Sequence, residues 1–185
     1  MTQDMYEELQ MLIGQEGPLI TGPDLVCKAM IRHWCEAMED ANPLYADEQY
    51  ATRSKYGSII SPPMMIQSWS MAPLWPDGQE LQFRHPEKVS KTEGSPNPAW
   101  KANRILANAG YIGTVVTDNT FEFFGQLFPG DKAIVSVRLS DISPEKETSR
   151  GNGHFITTTR TTTNQNGELI CKQSFTLFKF KPPPK

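Results

Sequence analysis

An α+β domain, with helices first and a meander of antiparallel strands after them, is the fold class this 185-residue sequence predicts. Three observations carry the expectation. Between Met5 and Ala109 several segments carry apolar residues at helical spacing, whereas Val115 to Phe180 falls into runs rich in Val, Ile, Thr and Phe, the residues of pleated strands. Pro129-Gly130-Asp131, Gly151-Asn152-Gly153 and Asn166-Gly167 divide those runs, and Asn-Gly is a strong hairpin signal. Within Ala133 to Leu139 one face is apolar and the other mixed, so the sheet has one covered face and the cover must be helical.

The elements follow in order. Met5 to Ile13 sets Leu9, Leu12 and Ile13 on one side of a short helix, which the Gly14–Pro18 breaker ends. A stronger helix is expected with Thr21 as its cap, Pro23 in its first turn, and Leu25, Val26, Met30, Trp34, Ala37 and Met38 as its apolar face. It runs to about Glu39, because Asn42 precedes Pro43 and is pushed out of the helical region. A short helix is expected over Asp47 to Ser54. The segment Gly57–Pro63 then leads into Met64 to Leu74, read as an apolar helix with Pro63 at its first turn, lying inside the curled sheet. Trp75 to Pro98, rich in Pro, Gly and charge without periodicity, reads as a long surface excursion of the kind that serves binding. Trp100 to Ala109 is a helix closed by Gly110. Strands are expected at Val115–Phe124, Lys132–Asp141, His154–Asn164 and Glu168–Phe180. Residues 1–180 make one domain, and 181–185 form a proline-rich tail of linker composition, suggesting a chain that continues into a second domain.

Composition excludes several classes of function. A net charge of −3 without a basic stripe argues against a nucleic-acid partner. No apolar stretch approaches a membrane span, and MTQDMYEELQ lacks the character of a signal peptide, so the cytoplasm is expected. Cys27, Cys35 and Cys171 are an odd, irregularly spaced set that suits a reducing compartment. Neither a metal nor a cofactor is expected: His33, Cys35 and Cys27 match no standard zinc spacing. His154 reads as a structural histidine, His85 as solvated, and Lys146 and Arg150 as part of an exposed charge cluster with Glu145 and Glu147.

The segment Ile31–Asp47, which contains Asp40-Ala41-Asn42-Pro43-Leu44-Tyr45, is followed by Tyr56-Gly57-Ser58-Ile59-Ile60-Ser61-Pro62-Pro63. Together these resemble the hydratase motif of the MaoC-like family. There an aspartate, Asn-Pro and a histidine close the first long helix, and a Gly-to-Pro loop opens the central one. Phe128-Pro129-Gly130-Asp131 resembles a turn these proteins place between sheet strands, and Lys172 to Phe180 resembles their last strand. The resemblance implies a hot-dog fold, in which an antiparallel sheet wraps a long central helix, and an acyl-CoA thioester as substrate. It extends to the N-terminal MaoC-like domain of two-domain subunits in steroid side-chain degradation, whose second domain is an OB-fold with a zinc ribbon. In that branch the hydratase is a heteromer: one subunit carries the catalytic pair, and the other has lost it and widens the pocket for a ring-bearing acyl chain.

Hydration of a 2-enoyl thioester needs a water deprotonated near C3, a proton delivered to C2, and donors for the charge that builds on the thioester oxygen. By resemblance, Asp40 and Asn42 match the motif, a backbone N–H in the Gly57 loop serves the oxyanion, and Pro63 borders the substrate. Tyr45 stands where the histidine belongs. A phenol with an ordinary pKa of about 10 is no substitute for imidazole as a base at neutral pH. The expected function is therefore the substrate-pocket subunit of a heteromeric enoyl-CoA hydratase, with Asp40 vestigial and Asn42, Tyr45, Gly57 and Pro63 on the substrate. The expected partner is a second MaoC-like hot-dog subunit that carries the Asp–His pair, or a second copy of the chain.

Other readings stay open. One is a self-sufficient hydratase or 3-hydroxyacyl dehydratase using Asp40; another is an acyl-CoA-binding structural subunit without turnover; a thioesterase is a fourth. Residue by residue, Asp40 is also compatible with a helix-terminating aspartate, Tyr45 with a half-buried aromatic, and Gly57 with a left-handed turn.

Overall fold

The computed structural model describes residues 3–71 and 97–182. Most of the expected excursion, His85, the last three residues of the expected Met64–Leu74 helix, and Pro183 to Lys185 therefore lie outside the described residues. Helices α1 (Gln3–Leu12), α2 (Lys28–Met38), α3 (Pro43–Ala46), α4 (Glu48–Arg53), α5 (Ile66–Trp69) and α6 (Pro98–Asn108) precede all the long strands. The strands are β1 (Ile20–Thr21), β2 (Gly113–Phe123), β3 (Ile134–Ile142), β4 (Lys146–Thr148), β5 (Gly151–Thr163) and β6 (Leu169–Phe180).

All strand pairs are antiparallel, in the order β1-β3-β5-β6-β2, with β4 paired to β5. Because facing residues share a side of the sheet, the register lays out its inner face in rows. Val135, Thr162, Cys171 and Phe123 form one row, Val137, Arg160, Gln173 and Phe121 the next, and Leu139, Thr158, Phe175 and Asn119 the one after. Two apolar clusters cover this face. One gathers Val26, Ile31 and Cys35 with Ile59, Met65, Ile66, Trp69 and the strand residues Ala133, Ile170 and Cys171. The other packs Leu9 and Leu12 of α1 and Ala102 and Leu106 of α6 on Leu139, Ile142 and Ile156. Each fully buried Leu or Ile stabilises the fold by about 1.5–3 kcal/mol relative to exposure, so these clusters hold the helices on the sheet.

One sheet edge is covered. Gly14 and Gly17 donate their N–H groups to Leu139 and Val137 of β3, both at 2.8 Å, and β1 continues along the same strand. The other edge, β2, is eleven residues long and mostly exposed, with Val116 and Phe123 among its exposed apolar residues.

Two helix expectations need correction. Thr21 is not a helix cap: with Ile20 it pairs to Ile134 and Val135, and Gly22 N–H bonds to Ala133 C=O at 2.8 Å. Helix α2 starts only at Lys28, behind Cys27, whose side chain makes no capping bond. The sheet thus claims backbone groups that the local pattern assigned to a helix. The apolar Met64–Leu74 segment is likewise not one long helix. It is a 3₁₀ turn over Pro63–Met65 followed by the four residues of α5, which has stopped by Ser70 (φ −102°, ψ 1°). The sequence accounts for the stop, because in a continued helix Pro73 would have no N–H to give the Trp69 carbonyl and its ring would crowd that oxygen. The Trp69 carbonyl instead sits against Gly22, at whose position a Cβ would lie 2.0 Å from that oxygen. The helical cover of the sheet therefore comes mainly from α6 and α1. The turn expected at Gly151-Asn152-Gly153 is the start of β5, and β4 was not foreseen.

Candidate functional site

Helix α2 ends as the motif requires. Glu39 adopts a left-handed conformation (φ 54°), and the Asp40 N–H reaches back to Cys35 C=O at 2.9 Å. Asp40 Oδ1 then accepts the Asn42 N–H at 3.1 Å, and Asn42 Oδ1 caps α3 by accepting the Leu44 N–H at 3.0 Å. Pro43 fills the first position of α3, and Asp47 caps α4 through Gln49 and Tyr50. Three successive side-chain caps thus turn the chain sharply between α2 and α4, and the Lys28–Glu48 ion pair ties the two helices together.

This turn brings Asp40, Asn42 and Tyr45 together. Tyr45 is half-buried against the larger apolar cluster. Its phenol is held above the ordinary value by burial first, then by the Asp40 carboxylate and Cys35, against an opposing hydrogen bond from Asn42. Cys35 is pushed up in the same way, by burial and then by Asp40 and Glu36. Burial and the Asp40 carboxylate therefore favour the neutral phenol at neutral pH. Cys35 and Tyr56, which also bears on Tyr45, were not among the expected site residues.

Gly57 and Pro63 lie farther along. The Ile60 N–H donates to Leu44 C=O at 3.2 Å, and the Ser61 N–H to Leu127 C=O at 2.8 Å, which fastens the Gly-to-Pro segment between the motif and the sheet. Ser61 Oγ also accepts Trp69 Nε1–H at 2.8 Å, satisfying a buried indole. Gly57 is an exposed left-handed turn residue (φ 69°), and its own N–H is spent on Ser54 C=O at 3.2 Å. Pro63 borders a space of about 10 Å³ with Phe123, Gly125 and Ile170, room for roughly one water.

A much larger cleft opens one helical turn away, where α5 stops. It measures about 670 Å³ and lies on the inner face of the sheet, between Gln67 and Ser70 on one side and Trp100 and Asn103 of α6 on the other. Its floor is Val137, Thr158, Arg160, Gln173, Phe175 and Leu177. That is within the size range of small-molecule sites. Sequence reasoning did not find it. The available signal was Arg160, a charge on the inward-facing register of β5 that also holds Ile156 and Thr162.

His154 is fully buried, with Nδ1 2.9 Å from Ser143 C=O and its ring edge-on to Tyr111, while its Nε2 has no hydrogen-bond partner among the described residues. Lys146 and Arg150 are exposed, on and beside β4.

The sequence matches the FAS1-like dehydratase domain region over residues 12–173. The chain belongs to this family. Among curated relatives of this FAS1-like dehydratase domain, the probable enoyl-CoA hydratase alpha subunit of Thermomonospora curvata is 36% identical over 181 residues, 97% of this chain and 53% of that protein. The 3-oxo-4,17-pregnadiene-20-carboxyl-CoA hydratase alpha subunit of Mycobacterium tuberculosis is 30% identical over 165 residues, covering 86% and 46% respectively. The chain thus spans about half the length of these relatives. Among solved structures, the ChsH1-ChsH2 complex of Mycobacterium tuberculosis superposes with a TM-score of 0.81 at 28% identity, covering 98% of this chain and 94% of that one. A MaoC-like dehydratase from Rhodospirillum rubrum (TM-score 0.58, 18% identity, 91% and 94% covered) shares the hot-dog fold. Within that fold the FAS1-like domain described here departs from a continuous central helix, since α5 ends after one turn. No helix among the described residues is long and apolar enough to cross a membrane.

Proposed function

We propose that this chain is the substrate-pocket part of a heteromeric enoyl-CoA hydratase alpha subunit, acting on a bulky, ring-bearing 2-enoyl-CoA in the cytoplasm. The observation that carries the reading is Tyr45: it occupies the motif's histidine position with a phenol kept neutral by burial and by Asp40. Water addition at C3 requires a base, and general base catalysis is worth about 10²–10⁴ in rate, so the Asp–His pair is assigned to the partner subunit. Asp40 keeps its place because its carboxylate holds the turn at Asn42. The cleft left by the short α5 supports a bulky acyl group, since a continuous helix would fill that space. The names of both curated relatives, alpha subunits of hydratases, and the steroid thioester in one of them point the same way. The exposed edge of β2 offers unpaired backbone groups for side-by-side docking of a second hot-dog subunit.

The full-length protein, co-expressed with a MaoC-like subunit bearing an intact Asp–His pair, is expected to co-purify with it and to hydrate ring-bearing enoyl-CoA faster than crotonyl-CoA. The isolated protein is expected to hydrate neither. Rapid turnover by the isolated protein, abolished by Asp40→Asn, would establish the self-sufficient reading in its place.

A further inference from the structure

Arg160 is the charged member of an otherwise neutral surface inside the fold. It sits between Val137 and Gln173 on the inner face of the sheet, and the neighbouring row carries Thr158 and Asn119. Gln173 Nε2 donates to Asn119 Oδ1 at 2.8 Å, so this polar strip is ordered by its own bonds. Arg160 is half-buried, and burial draws its guanidinium below the ordinary value. Among the described residues no carboxylate lines the cleft, and no hydrogen bond or ion pair engages the Arg160 guanidinium. A cation partly removed from water without a partner is costly, and exchanging such a group for an apolar one of similar volume is often neutral or stabilising. An arginine at that position points to a role other than folding. The guanidinium offers five donors and accepts none, so what satisfies it is an acceptor oxygen.

We propose that Arg160 is a specificity-determining residue that donates hydrogen bonds to a ketone oxygen on the ring system of the acyl group, at the end remote from the thioester. This rests on the cleft being the acyl pocket. The surroundings favour a neutral carbonyl as the occupant: Gln173, Asn119 and Thr158 are neutral donors and acceptors, and one cation among them suits a single polarised oxygen on an apolar body that lies against Phe175, Leu177 and Val137. A hydrogen bond from a charged donor is the strong kind, and its loss from a desolvated site corresponds to about ten- to a hundredfold in binding.

The test uses the full-length protein assembled with its catalytic partner and two ring-bearing enoyl-CoA thioesters that are identical except that one has a ketone where the other has a methylene at the distal ring. Arg160→Met is expected to lower kcat/KM for the ketone about ten- to a hundredfold, mostly through KM. It should leave the methylene analogue within about twofold and keep thermal stability equal or higher. Arg160→Lys is expected to recover part of the loss. Equal losses on both thioesters, a marked fall in melting temperature, or no loss on either would overturn the proposal, because Arg160 would then be structural or solvated. Affinities for the two thioesters, measured in parallel by calorimetry, separate this idea from its parent. A wild-type complex that binds the ketone better than the methylene but hydrates neither refutes the hydratase reading and leaves Arg160 as the discriminator.

Discussion

Replacing Asp40 distinguishes a catalytic carboxylate from one kept for the turn. Its Oδ1 accepts the Asn42 N–H at 3.1 Å, the bond that starts the sharp reversal after α2. Asp40→Asn keeps an acceptor oxygen at that place, so the expected cost is below about 0.5 kcal/mol, whereas Asp40→Ala forfeits the bond at about 1 kcal/mol. For a chain of this size that corresponds to a melting temperature lower by about 2–4 °C for alanine and nearly unchanged for asparagine. Removing the carboxylate also removes the second-largest influence, after burial, that holds the Tyr45 phenol up, so the Tyr45 pKa should move down in Asp40→Asn. In the assembled complex, Asp40→Asn is expected to retain turnover within about threefold, a change of less than about 1 kcal/mol. Steady-state hydration of a ring-bearing enoyl-CoA, followed by loss of enoyl thioester absorbance, reads the rate, and ultraviolet titration reads the phenol. A fall of about a hundredfold or more with stability unchanged would refute the reasoning, because that is the signature of a general base.

Gly22→Ala is expected to destabilise the domain by about 3 kcal/mol or more, since its Cβ would meet the Trp69 carbonyl at 2.0 Å, and urea denaturation measures the loss. Gly57→Ala should cost less, about 1–2 kcal/mol from left-handed strain alone, because nothing lies within 4 Å of the added carbon; equal costs at the two positions would contradict the packing described. Burial, followed by Glu145, pushes the buried Tyr111 up to about 12. The fold thus favours its neutral form, and this contribution is complete below about pH 10 and lost as pH rises through about 12. Stability against pH should show that alkaline fall in the wild type and a shallower one in Tyr111→Phe.

Elements whose causes are local were legible in the sequence. The stop of α2 before Asn42-Pro43, the short helix over Asp47 to Ser54 and the Asn166-Gly167 hairpin each follow from neighbouring residues, and the structure places all three within a residue or two of expectation. Thr21 was misread because its partner, Ile134, is brought to it by the tertiary fold, and no local signal announces it. The short α5 was legible after all in Pro73; the apolar run around it masked the breaker. The motif cluster of Asp40, Asn42 and Tyr45 came from the sequence as a unit. The cleft did not, since its floor is assembled from β3, β5 and β6, and Arg160 points to it only once their register is known.

The central claim is that chemistry lies with the partner and the pocket with this chain. Its most direct test is the hydration rate of a ring-bearing enoyl-CoA by the assembled complex in which the partner's catalytic aspartate is asparagine, measured beside the isolated protein carrying Tyr45→His. The account predicts a loss of about 10²–10⁴ in turnover for the first, with substrate affinity retained, and no hydratase activity in the second. Turnover that survives in the first, or strong activity that appears in the second, would contradict it.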